Sequence, residues 1–191
     1  MRIFMSGGCK NGKSTYAQTL AKRQHSYSHS YSCSTRPLYY VATMKAVDGE
    51  DDERIVRHQK ERAGWGFTTV EQPTRIEEIL TTCDPNGSYL LDSLTALLAN
   101  EMFSPNGDID SYACERIAAG LADVLATISN IVIVSDYIYS DAFIFDTFTE
   151  SYRKALAQLD SMVATHSDIV LEAAYTQIIC HKGSELPGAI H

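Results

Sequence analysis

Gly7-Gly8-Cys9-Lys10-Asn11-Gly12-Lys13-Ser14 lies between the apolar run Ile3–Met5 and a segment of helical period that starts at Ser14. The octet satisfies G-x-x-x-x-G-K-[ST], the pattern of a phosphate-binding P-loop, and a strand before it with a helix after it is the context the pattern requires. Glycines let backbone N–H groups wrap an anion, and the following helix aims the positive end of its dipole at the same place. In this reading Gly7, Gly8, Cys9, Lys10, Asn11 and Gly12 form a cradle for a nucleoside triphosphate. Lys13 reaches the β- and γ-phosphates, and the Ser14 hydroxyl ligates Mg2+.

Outward from the loop, short β-branched runs alternate with longer segments of helical period. Ile3–Met5, Leu38–Ala42, Tyr89–Leu91, Ile131–Val134 and Ile169–Leu171 read as strands, with Ile178–Cys180 a candidate sixth. Helices are expected over 14–24, 51–63, 74–82, 93–102, 109–128 and 146–166. Such alternation predicts an α/β fold of the P-loop NTPase kind, a mostly parallel sheet with helices on both faces. Asp84-Pro85-Asn86-Gly87 and Ser104-Pro105-Asn106-Gly107 are turn clusters that punctuate one domain, residues 1–191, without dividing it. Residues 24–36, rich in Ser and Tyr, follow neither period and are expected to form an exposed connection. His25 and His29 there have an i, i+4 spacing but no third metal ligand nearby, which favours a surface loop over a metal site.

The 191 residues are 45% hydrophobic and 21% charged, the balance of one domain with a proper core. A formal net charge of −8 and a pI near 5.2 argue against a broad nucleic-acid or anionic-membrane surface and for a small-molecule partner. No apolar run approaches the roughly 20 residues that span a bilayer. Met1-Arg2-Ile3 leads into a strand instead of a signal peptide, so a cytoplasmic protein is expected. Five scattered cysteines without a C-x-x-C pair indicate neither a disulfide framework nor a structural zinc site.

A P-loop fold ordinarily carries an acidic residue at the end of another buried strand, holding the metal directly or through water, and Tyr89-Leu90-Leu91-Asp92 offers one. Asp92 has a second reading as the N-cap of the helix that follows. Asp51 to Arg62 has acids first and cations later, the order a helix dipole prefers. On a helix Arg54, His58 and Arg62 share a face, one that suits a polyphosphate. The flanking guanidinium groups disfavour protonation of His58 and leave it able to attack phosphorus. On pattern alone, a solvated helix with ordinary i, i+4 pairs is the favoured description.

The order of these features resembles the bifunctional adenosylcobinamide kinase/adenosylcobinamide-phosphate guanylyltransferase family. The carrying residues are Gly7–Ser14, a strand ending in Ala42-Thr43, Asp51-Asp52-Glu53, and Arg54-Ile55, His58 and Arg62 in the frame R-I-x-x-H-x-x-x-R. Further on, Phe67-Thr68-Thr69-Val70-Glu71 is similar to the family's W-x-T-x-E stretch, and Asp92 to its acid at a strand end. The resemblance implies a kinase for a corrinoid alcohol that uses ATP or GTP with Mg2+. It also implies a guanylyltransferase in which His58 takes GMP from GTP, releasing pyrophosphate, and passes it to the corrinoid phosphate. Ala42, Thr43, Met44, Gln59, Lys60, Glu61, Arg62 and Glu71 are by resemblance the nucleotide's surroundings. Glu71 reads as a guanine-edge acceptor or as a plain surface residue before Pro73. A homo-oligomer, in the family a propeller-like trimer, is implied in the same way.

Two stretches depart from the family. Its Asn-Glu-Val-Gly-x-Gly loop is replaced by Ser135-Asp136-Tyr137-Ile138-Tyr139-Ser140-Asp141, without glycine, and its Gly-x-Val-Asn-Gln by Ala157-Gln158-Leu159-Asp160-Ser161. A loop that needs positive φ cannot be the same loop here. Tyr137, Tyr139, Phe143, Phe145 and Phe148 crowd this region and read either as core and subunit-contact residues or as the lining of a pocket for a large planar ring. A P-loop kinase for another small acceptor, or a nucleotide-binding relative without catalysis, therefore stands beside the first reading.

Overall fold

The computed structural model describes residues 1–30, 36–45, 64–104, 106, 108–140 and 142–183. Seven strands, β1 (Arg2–Gly7), β2 (Leu38–Ala42), β3 (Thr68–Glu71), β4 (Ser88–Asp92), β5 (Asn130–Asp136), β6 (Ile169–Ala174) and β7 (Gln177–Lys182), form one sheet. Their order is β3-β2-β4-β5-β1-β6-β7. All neighbouring pairs are parallel except β6 and β7. That last pair is joined by Tyr175 and Thr176 at φ 48 and 65, the positive dihedrals that a two-residue hairpin turn demands.

The helices are α1 (Lys13–Ser30), α2 (Ile79–Thr82), α3 (Leu94–Met102), α4 (Ala113–Thr127) and α5 (Thr147–His166), with a 3-10 turn at Ile76–Glu78. Side chains alternate across each strand, so β1 sends Ile3 and Met5 to one face and Phe4 to the other. On the first face they meet Ala17, Leu20 and Ala21 of α1, with Leu90 of β4 and Val132 of β5. On the second, Phe4, Tyr89 and Leu91 meet Leu97 and Leu98 of α3, Leu121 of α4 and Leu156 of α5. Each Leu or Ile so buried contributes about 1.5–3 kcal/mol. The sheet is thereby held from both faces, with the carboxyl ends of its parallel strands along one edge.

Three sequence expectations are corrected. Of the connection expected over 24–36, residues 24–30 instead continue α1 to Ser30, and 31–35 lie outside the described residues. Gln24 is buried with its amide donating to the Met1 carbonyl at 2.9 Å, and Ser26 returns its hydroxyl to the Lys22 carbonyl at 3.0 Å. A buried polar side chain and one that bonds back to its own helix hide the period. Strand β3 was not expected, because three of its four residues are exposed and only Val70 packs inward. The helix expected over 74–82 divides into the 3-10 turn and α2. The helix expected over 51–63 lies outside the described residues. His25 and His29 lie on α1, and among the described residues no group of three potential metal ligands occurs. No helix of the described residues is long and apolar enough to cross a membrane.

Candidate active site

Strand β1 delivers Gly7, buried, to the carboxyl edge of the sheet. A Cβ there would stand 2.5 Å from Asn11 Nδ2 and 2.7 Å from the Ala173 carbonyl oxygen, so only glycine lets the loop turn this close to β6. Asn11 pins the turn: its Nδ2 donates to the Ala173 carbonyl at 2.6 Å, and its Oδ1 accepts the Lys13 amide at 3.2 Å. Lys10 and Gly12 adopt φ 55 and 85, which coils residues 8–12 over the start of α1. The loop so brings its backbone next to the amino end of α1, the arrangement of a P-loop anion site.

Lys13 is only 6% exposed. Its ammonium donates to the Gly8 carbonyl at 3.1 Å and forms an ion pair with Asp136 Oδ1. Asp136 ends β5, directly beside β1 in the sheet. Its own amide donates to Thr95 Oγ1 at 2.8 Å, the Tyr152 hydroxyl donates to the Thr95 carbonyl at 2.8 Å, and the Tyr137 amide donates to the Gly7 carbonyl at 3.3 Å. The end of β5 is thus locked to the loop. Sequence reasoning assigns neither Asp136 nor Thr95 to the site. A signal is present, since Ile131–Val134 ends in an acid two residues later, as Tyr89–Leu91 ends in Asp92.

Ala42, Glu71 and Asp92 stand at one register along the same edge. With strand spacing of roughly 4.8 Å, Asp136 is one spacing from β1, Asp92 two, and Glu71 four, or roughly 19 Å. Glu71 is exposed at the end of the outermost strand. Asp92 accepts the Tyr40 hydroxyl on Oδ2 at 2.8 Å. It is not the N-cap of α3; Ser93 is, accepting the Ala96 amide on its hydroxyl. Thr43 is fully buried, and its hydroxyl exchanges two 2.7 Å hydrogen bonds with the Ser93 backbone. Asn100 Nδ2 donates to the Thr43 carbonyl at 2.7 Å. Thr43 therefore fixes the end of β2 against the β4–α3 junction, with Met44 half-buried next to it.

Behind Asp136, the buried Asp160 of α5 accepts the Tyr139 hydroxyl at 2.8 Å. Burial pushes its carboxyl up to about 6, the hydroxyls of Ser135 and Tyr139 pull it down, and the charge of Asp136 adds to the rise. Burial also raises the Tyr139 and Tyr152 hydroxyls, and the carboxylates near them reinforce this. The 137–140 loop needs no glycine, since none of its residues has positive φ. Buried Arg153 anchors the chain beyond this loop, donating to the Ile138 carbonyl at 3.1 Å and to the Phe143 carbonyl at 2.9 Å. The expected aromatic cluster is divided. Tyr139 turns inward, whereas Phe143, Ile144 and Phe148 are 76, 92 and 63% exposed.

Mg2+ takes oxygen ligands, usually one or two protein groups with waters and substrate phosphates. The half-buried Ser14 hydroxyl and the Asp92 carboxylate, engaged only through Oδ2 among the described residues, match that donor set. His58, its neighbours Arg54, Gln59, Lys60, Glu61 and Arg62, and Asp51–Glu53 lie outside the described residues.

Residues 3–176 match the family described as cobinamide kinase / cobinamide phosphate guanyltransferase. The bifunctional adenosylcobalamin biosynthesis protein CobU of Escherichia coli (strain K12) is 29% identical over 111 residues, 58% of this chain and 55% of that protein. The bifunctional adenosylcobalamin biosynthesis protein CobP of Pseudomonas aeruginosa is 35% identical over 102 residues, 52% of each. The chain spans about half the length of the curated relatives it matches. Among solved structures, the KaiC-like protein PH0186 from Pyrococcus horikoshii OT3 has a TM-score of 0.51 at 11% identity, covering 100% of this chain and 83% of that one, a likeness of fold alone. With nearly its whole length matched, the chain belongs to the cobinamide kinase / cobinamide phosphate guanyltransferase family.

Proposed function

We propose that this chain phosphorylates adenosylcobinamide and then transfers GMP from GTP to adenosylcobinamide phosphate, two steps of cobalamin biosynthesis. The observation that carries the reading is the family match over residues 3–176, joined to a P-loop whose lysine and loop asparagine are already held in position. Gly7 to Gly12 and the amino end of α1 receive the triphosphate, Lys13 neutralises the β- and γ-oxygens, and Ser14 with Asp92 holds Mg2+. The metal's contribution is charge neutralisation on the phosphate oxygens. His58 is the nucleophile for the second step, with Arg54 and Arg62 four positions to either side of it in the sequence. Attack of its ring nitrogen on the α-phosphorus forms a phosphoramidate and releases pyrophosphate. Gln59 to Arg62, Ala42 to Met44 and Glu71 complete the nucleotide's surroundings. Small-molecule substrates, ATP or GTP and a corrinoid, are the partners. A homo-oligomer and a cytoplasmic setting belong to the same reading.

The test is incubation with Mg2+ and GTP labelled separately in the α- and γ-phosphates, with and without adenosylcobinamide. The expected result is acid-labile, base-stable α-label on the protein that is absent in His58→Ala and passes to the corrinoid phosphate. A specific observation favours a second reading. The glycine-free loop from Asp136, with a buried acid at Asp160 behind it, differs from the family pattern. Transfer of γ-label to the corrinoid or to another alcohol without α-label on the protein would establish a P-loop kinase alone. Binding without turnover would leave a nucleotide-binding relative.

A further inference from the structure

Towards a triphosphate, a P-loop lysine serves as a cation between the β- and γ-phosphates. In this chain the same ammonium, almost fully buried, rests on Asp136 Oδ1 and the Gly8 carbonyl. A carboxylate in contact with that ammonium stands within one side-chain length of the position the γ-phosphoryl group takes. Asp92 is a strand further away and is already oriented by Tyr40. Asp136 is also held from behind. Its amide is fixed to Thr95 and the next amide to Gly7, so the backbone that carries the carboxylate is tied to the P-loop. Its side chain keeps 21% of its surface open, and its ionic partner among the described residues is Lys13 itself.

We propose that Asp136 accepts the proton of the acceptor hydroxyl during phosphoryl transfer, and that binding of the triphosphate frees it by drawing Lys13 onto the phosphates. This rests on the kinase half of the proposed function. In the step, the acceptor oxygen forms a bond to the γ-phosphorus, and the bond between that phosphorus and the β,γ-bridging oxygen breaks. The nucleoside diphosphate leaves with the electron pair, and the hydroxyl proton passes to an Asp136 carboxylate oxygen, from which water later removes it. Positioned carboxylates perform this task in other phosphoryl-transfer sites. While the site is empty, the Lys13–Asp136 pair keeps both charges compensated.

The experiment compares wild type with Asp136→Asn in steady-state transfer of γ-label from ATP to adenosylcobinamide, together with equilibrium binding of a fluorescent ATP analogue. The amide keeps the shape of the side chain but cannot take the proton. The expected result is a fall in kcat of about 10²–10⁴-fold without a rise in KM for ATP. Binding of the analogue should be as tight as in wild type or tighter, because Lys13 has lost its competing anion; this also reports that the variant is folded. Wild-type kcat in Asp136→Asn overturns the proposal. So does a loss that appears as a rise in KM, or one cured by raising Mg2+, since either marks Asp136 as support for the phosphates or the metal. Failure of the wild type to move γ-label overturns the kinase reading itself, and that outcome is distinct from the others.

Discussion

The hydroxyl of Tyr40 donates to Asp92 Oδ2 at 2.8 Å, a bond between side chains of two neighbouring strands. Tyr40 is itself buried, with its ring edge-on to Phe67 at 5.9 Å. It therefore cannot follow the carboxylate, and the carboxylate must follow it. Such an outer bond fixes one oxygen of a candidate Mg2+ ligand and leaves the other without a hydrogen bond among the described residues.

Tyr40→Phe keeps the ring and removes the hydroxyl that donates to Asp92. Loss of an outer-shell partner commonly costs 10–100-fold in metal affinity or activity, so half-saturation by Mg2+ should rise by about tenfold or more. Stability should fall by only about 1 kcal/mol. Mg2+ titration of γ-transfer beside urea denaturation checks both. An unchanged Mg2+ curve would remove Asp92 from the metal site.

Lys13→Met retains the buried stem and deletes the charge. Loss of a positioned group that meets developing charge costs about 10²–10³-fold in rate, so γ-transfer should fall at least that far. Stability should fall as well, by about 1–3 kcal/mol, because Asp136, only 21% open to water, is left without its ionic partner. Residual transfer near the wild-type rate would show that the P-loop lysine is not in the reaction.

How much of this was legible in the sequence depended on how local the signal was. Gly7 to Ser14 declares itself because its chemistry is written in eight consecutive residues. The strand ending in Asp92 is equally plain, because Tyr89, Leu90 and Leu91 are all buried in the sheet. The carboxyl half of α1 was hidden because the Gln24 amide and the Ser26 hydroxyl donate to backbone carbonyls, so that polar residues lie buried or folded back along it and leave no apolar stripe. Strand β3 was hidden because an edge strand is held by backbone pairing to β2 and needs only one inward side chain. The Lys13–Asp136 pair was hidden for a third reason. Its members lie 123 positions apart, and only the order β4-β5-β1 makes the end of β5 the neighbour of the P-loop.

Gly7 and Gly8 predict opposite outcomes for one substitution. Gly7→Ala drives a methyl group into Asn11 Nδ2 and the Ala173 carbonyl, whereas a Cβ on Gly8 meets nothing within 4 Å. Forced insertion into a packed site costs about 1–3 kcal/mol, so Gly7→Ala should lower stability by that order and loosen the Asn11 clamp. Gly8→Ala should unfold as wild type does. Thermal melts of the two variants decide, and equal losses would mean the loop relaxes freely around either position.

Asp160 makes stability depend on pH with a definite sign. Four groups from three elements face it: Ser135 and the charge of Asp136 at the end of β5, Tyr139 from the loop after it, and Tyr152 on its own helix. The carboxyl is raised from an ordinary 3.8 to about 6, chiefly by burial, so the folded chain keeps a proton that the unfolded chain has released between these values. The stabilisation is therefore complete below the unfolded value and is lost as pH rises through about 6. A shift of this size corresponds to about 2–3 kcal/mol. Asp160→Asn cannot ionise and still accepts the Tyr139 hydroxyl, so it should escape the decline. In urea denaturation at pH 5.5, 6.5, 7.5 and 8.5, its stability relative to wild type should grow with pH and level off above about 7. A difference that shrinks as pH rises would mean that the folded state favours the charged carboxylate.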